Sequence, residues 1–166
     1  MKKIGTIDFT TGKVTITDPC YKKDTWCKAD VVNVHKGEWD VYIEEYNGRI
    51  AELEIRAVGQ DTYRFEEVEA IIGVDAGLCG IFEDKPDYSD DDWSRLCDNV
   101  FFNDNYGLAF KEDFGCVGCW SSSGWGDGSY VATVGYNTEG EVVMINVDYD
   151  VYPSDDDEWA DDDEDN

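Results

Sequence analysis

Four serines, two tryptophans, five glycines and one aspartate fall within the 17 positions Phe114–Tyr130. Glycine lets backbone approach a ligand closely. Ser121, Ser122, Ser123 and Ser129 supply hydroxyls there, Trp120 and Trp125 supply flat apolar faces, and Asp127 supplies a carboxylate. That mixture suits a small polar ligand or a bound cation. The competing reading is a tight loop whose glycines permit turns and whose serines bond the backbone. If the loop binds, the segment Cys116–Tyr130 should wall the main surface cavity, with Asp127 facing it and Asp75 nearby.

Cysteine offers a second chemistry. Cys116-x-x-Cys119 has the spacing of half a structural zinc site. Cys20 and Cys27 would complete four thiolates, although six residues separate them. A redox dithiol would need a βαβ setting, which the surrounding pattern lacks. Calcium is the other candidate ion. Asp104-Asn105-Tyr106-Gly107 and the acidic C-terminal run offer oxygen ligands, without the spacing of an EF-hand loop.

Templates for catalysis mostly fail. No Gly-x-Ser-x-Gly elbow occurs, and no Gly-rich phosphate loop ends in lysine. His35 is the single histidine, so any Ser-His or Cys-His mechanism would depend on it. Its setting, Asn33-Val34-His35-Lys36-Gly37, reads as a surface turn.

Charge narrows the partners. The 166 residues hold 39 acids against 13 bases, a net charge of −26. Such a surface repels nucleic acid and anionic membranes and attracts cations and basic proteins. Nine of the acids and no base lie in Ser154–Asn166, which reads as a disordered tail following one folded domain, 1–153. The opening Met1-Lys2-Lys3-Ile4-Gly5 lacks the apolar stretch of a secretory leader, and no run of about 18 apolar residues could span a bilayer. A cytoplasmic protein with reduced thiols is expected.

Strands must position these groups. Asp40–Tyr46 and Arg49–Val58 flank Asn47-Gly48, the strongest short hairpin signal. Val41 and Ile43 share one face, and Tyr42 and Glu44 the other. Tyr130–Tyr136 and Glu141–Tyr149 flank Asn137-Thr138-Glu139-Gly140, a second hairpin. Lys3–Phe9 and Lys13–Thr17 flank Thr10-Thr11-Gly12, which reads as a third hairpin with a left-handed Gly12. Ala70–Val74 is a short apolar strand that Cys79–Phe82 continues after a break at Gly77. One helix is indicated: Ser89 can cap it, and Trp93, Leu96, Cys97 and Val100 form its apolar face. The expected fold is mainly β, an antiparallel β-sandwich or rolled sheet built of hairpins, with one or two short helices.

Three segments together resemble a known family. They are Thr17-Asp18-Pro19-Cys20-Tyr21 followed by Trp26-Cys27; Gly73-Val74-Asp75-Ala76-Gly77-Leu78-Cys79-Gly80-Ile81-Phe82; and Ser121–Tyr130 with its Gly-Asp-Gly-Ser-Tyr end. In this order they are similar to the bacterial and phage family catalogued as domain of unknown function 4241, over roughly Ile4 to Tyr149. The family carries no established reaction. The resemblance marks Asp18, Cys20, Asp75, Gly77, Asp127, Gly128 and Tyr130 as motif positions, and leaves Cys116 and Cys119 outside the motif.

Asp18, Asp75 and Asp127 each sit at a turn beside a strand. Converging turns would make them an oxygen-ligand metal site or an acid–base pair; otherwise each caps its own turn. The function expected is an acidic binding or interaction protein. It would engage a basic protein partner or a small polar ligand, the latter through Asp18, Asp75, Trp120, Ser123, Trp125, Asp127 and Tyr130. The alternative is a small hydrolase or metal-binding protein using Asp18, Asp75 and Asp127.

Overall fold

The computed structural model describes residues 1–19, 28–68, 72–74, 77–83, 105–124, 126 and 128–151. The helix expected at 89–100, the tail 154–166, and the positions Cys20, Cys27, Asp75, Asp104, Trp125 and Asp127 lie outside these residues.

Twelve strands are described: β1 Lys2–Phe9, β2 Lys13–Thr17, β3 Ala29–Val32, β4 Gly37–Tyr46, β5 Arg49–Ala57, β6 Arg64–Glu67, β7 Ile72–Val74, β8 Leu78–Glu83, β9 Tyr106–Ala109, β10 Val117–Ser122, β11 Gly128–Tyr136 and β12 Val142–Asp148. A single helical turn, α1 Lys111–Phe114, ends at Gly115 with φ 75°. The strands form two antiparallel sheets, as expected for a β-sandwich. The seven-stranded sheet runs β1-β4-β5-β12-β11-β6, with β7 also paired to β11. The five-stranded sheet runs β3-β2-β8-β10-β9. Residues of both sheets meet in one apolar core, including Ile7, Phe9, Trp39, Ile43, Leu53, Ile55, Ile145 and Val147 from the first, and Val14, Ile16, Cys79, Ile81 and Cys119 from the second.

Two of the three expected hairpins form. Asn47 (φ 50°) and Gly48 (φ 76°) both take positive φ, the requirement of a type I′ turn, and Tyr46 pairs with Arg49 across it. The β11–β12 loop closes on Asn137. Its Oδ1 accepts from the backbone N–H of Glu139 at 3.0 Å and of Glu141 at 2.9 Å.

The third does not form. β1 pairs with β4 in the first sheet, while β2 lies between β3 and β8 in the second. Gly12 also stays out of the left-handed region. The chain changes sheets at this corner, and the buried carboxylate of Glu83 holds it. Glu83 accepts from the backbone N–H of Thr10 at 2.7 Å, from that of Thr11 at 3.0 Å, and from the Thr10 hydroxyl at 3.0 Å. Two backbone donors turned away from any strand partner thus find a charged acceptor.

β8 does not continue β7 either. β7 pairs with β11 in the larger sheet, and β8 runs between β2 and β10 in the smaller one; the break comes at Gly77, φ 71°.

Candidate functional site

The segment that looked like a binding loop is largely strand. Val117–Ser122 is β10, paired with β8 on one side and β9 on the other, and Gly128 already begins β11. Between them, hydrogen bonds tie down the described residues Ser123, Gly124 and Gly126. The Ser123 hydroxyl donates to the Gly126 carbonyl at 2.7 Å, and the Tyr130 hydroxyl donates to the same oxygen at 2.6 Å. Ser123 N–H donates to Gly77 O at 3.0 Å, and Arg49 donates to Gly124 O at 2.9 Å. Ser123 and Tyr130 therefore spend their hydroxyl protons on the turn itself. Trp120 is buried against Gly107, where a Cβ would sit 2.7 Å from its ring. By strand alternation it faces away from Ser121. Of the expected ligand residues, the structure joins Ser123 with Tyr130 and leaves Trp120 on the other face of β10.

Asp18 follows β2 and is fully buried. Its charge reaches the Cys79 thiol. A cluster that sequence reasoning missed surrounds that thiol. Cys79 lies directly opposite Ser121 in the β8–β10 register. The Ser121 and Tyr149 hydroxyls share a hydrogen bond of 2.8 Å, and the Cys79 thiol bonds the same phenol. Tyr130 packs edge-on against Tyr149, with ring centroids 5.2 Å apart. Burial pushes Cys79 up to about 12, and the Asp18 charge adds to it. Burial also pushes Cys119 up, and the Tyr149 phenol well up. Groups so shifted are protonated at neutral pH and are poor nucleophiles. No local signal marks this cluster, because its members come from three separate strand regions.

The cysteine pair is split by its strand. Cys119 lies within β10, paired with Ile81 and Leu108, and joins the core, while Cys116 lies at the bend just before the strand. Both are buried. Among the described residues no three His, Cys, Asp or Glu side chains gather to hold a metal. His35 instead sits beside the β11–β12 turn, its Nδ1 3.3 Å from Glu141 Oε1. Asn137 and His35 together hold the Glu141 carboxyl below its usual range.

Among the described residues, polar side chains cover the outer face of the seven-stranded sheet. Registers place them in rows across the strands. One row reads Glu44, Glu52, Asp148 and Val131 over β4, β5, β12 and β11. The next reads Lys3, Tyr42, Glu54, Asn146, Thr133 and Glu67 from β1 to β6. Asn146 Nδ2 donates to Glu52 at 3.0 Å and to Glu54 at 3.0 Å, bridging the rows. Partial neutralisation comes from Arg56 beside Glu54, from the N-terminal amine 3.0 Å from Glu44, and from Lys3 3.0 Å from Asp40. Partial burial, with help from the Glu52 charge, raises the Asp148 carboxyl. These acids were legible as the polar half of each alternating strand.

An open groove of ≈ 290 Å³ lies where β1 meets α1, lined by Thr6, Ile7, Asp8, Glu38, Phe110, Lys111, Glu112 and Val117. It joins the edges of both sheets, which no local pattern reveals. No described helix is long and apolar enough to cross a membrane. Comparison with family models, with curated proteins and with solved structures finds no match for this chain.

Proposed function

We propose that this chain is an acidic binding protein of the cytoplasm. It engages a basic protein partner through the outer face of its seven-stranded sheet, and it belongs to the bacterial and phage family of domain of unknown function 4241. The observation that carries this is the row Glu44–Glu52–Asp148, three carboxylates directly opposite one another on adjacent strands. Like charges so placed destabilise a sheet. A cationic partner would relieve that cost on binding, so the arrangement favours recognition over stability. The net charge of −26 steers such a partner toward the surface. The hydrolase or metal-binding alternative needs Asp18 to face a ligand. Its full burial beside a protonated thiol favours the binding role instead.

The test is fluorescence anisotropy with a lysine-rich peptide and with a glutamate-rich peptide of equal length. The lysine peptide should bind, weaken steeply as NaCl rises, and weaken again in the double variant Glu52→Lys/Glu54→Lys. The charge-matched double reversal Asp8→Lys/Glu112→Lys, in the separate groove, should change little. Equal loss from both reversals would show that only overall charge matters and would sink the face-specific proposal.

A further inference from the structure

β6 ends the seven-stranded sheet, and all four of its residues are exposed. Among the described residues no strand pairs with its far side. The Val68 N–H donates to Ala132 O at 2.8 Å, in register with the β6–β11 pairs. Alternation then turns the backbone N–H and C=O of Phe65 and Glu67 outward, toward the open edge. Tyr63, just before β6, is 72% exposed and Phe65 is 65% exposed, an aromatic strip along an edge left open among the described residues. Such an edge is a template for strand addition.

Charge decides the occupant. Arg64 lies over the Tyr136 ring at 4.1 Å and pairs with Glu66 at 3.1 Å. Glu67 has no ion pair among the described residues, and it ends the row that runs through Glu54 and Asn146. A second copy of this chain would bring Glu66, Glu67 and another net −26 against the same edge. An incoming strand with lysine or arginine opposite Glu67 and an apolar residue opposite Phe65 meets both the charge and the aromatic strip. We infer that β6 is a docking edge on which an extended basic segment of another protein adds as a further strand. This rests on the proposed engagement of a basic partner and names the element that takes it.

The probe is a fluorescein-labelled, end-blocked peptide of repeating Lys-Ser-Val-Ser, which in extended form carries lysine and valine in turn along one face, as Glu67 and Phe65 require. Its control is the same peptide with every backbone nitrogen methylated, which keeps the charge and removes the N–H donors. The control should bind the full-length protein at least about tenfold more weakly, the equivalent of one or two hydrogen bonds. Phe65→Pro removes the outward N–H of β6 at an edge where proline is tolerated, and should weaken the unmethylated peptide to a similar degree. The methylated control needs no variant, so a misfolded Phe65→Pro protein would not spoil the test. Equal binding of the two peptides would overturn strand addition and leave the acidic-face proposal standing. No binding of either peptide would overturn both. A dimer in sedimentation that Phe65→Pro dissociates would show that a second copy holds the edge, and would overturn the basic-segment assignment.

Discussion

Asp148 and Tyr149 are neighbours in sequence and opposites in circumstance. Asp148 lies on the outer face in a row of carboxylates, and Tyr149 is fully buried against Ser121, Cys79 and Tyr130. Desolvation raises both side chains' proton affinity. Inside, that shift strengthens the form already present at neutral pH, a neutral phenol with a hydrogen-bond partner. Outside, it works against the charged form that the surface presents. The interior thus holds thiol and hydroxyl chemistry in a silent state, while the outer face holds charge at a cost to stability.

That contrast is open to attack in order of expected effect. With Cys79 raised to about 12 against about 8.5 for a free thiol, its thiolate fraction at about pH 8 falls on the order of a thousandfold. Iodoacetamide labelling followed by peptide mass spectrometry should leave Cys79 and Cys119 unmodified in the native protein and modify them in urea. Rapid native labelling of Cys79 would show that the cluster is accessible to chemistry.

Next, Tyr149→Ala should cost about 3–5 kcal/mol by urea denaturation, since it empties a fully buried ring site. Tyr149→Phe keeps the ring and strands the Ser121 hydroxyl, at about 1 kcal/mol. A Phe variant as damaged as the Ala variant would mean the hydroxyl network, not packing, holds this region.

The smallest effect belongs to the surface. Asp148→Asn should stabilise the protein by about 0.2–1 kcal/mol at neutral pH, because a like-charge pair with Glu52 is removed. The sign follows from the raised carboxyl. A raised acid favours the folded state below its unfolded value, and that contribution is lost as pH rises through the folded value. The gain from Asn should therefore be full at about pH 7 and vanish below about pH 4, the ordinary carboxylate range. A gain that persists in acid would place its origin outside the charge row.

Local chemistry determined much of this protein from sequence alone. Asn47-Gly48 supplies two positive-φ residues, and the alternation of Val41, Ile43, Leu53 and Ile55 with Tyr42, Glu44, Glu52 and Glu54 sorts each strand's two faces. Such features are settled within a few residues, so the hairpins, the mainly β class and the outer acids were legible. Tertiary structure alone decided which sheet each strand joins. Thr10-Thr11-Gly12 has hairpin composition, yet β1 and β2 separate because each buries its apolar face in a different layer and Glu83, far along the chain, satisfies the corner. The same long-range pairing turned Val117–Ser122 from expected loop into strand and gathered Cys79, Ser121 and Tyr149 into one buried cluster. Burial of a shared core chooses partners across the whole chain, and no local spacing encodes that choice.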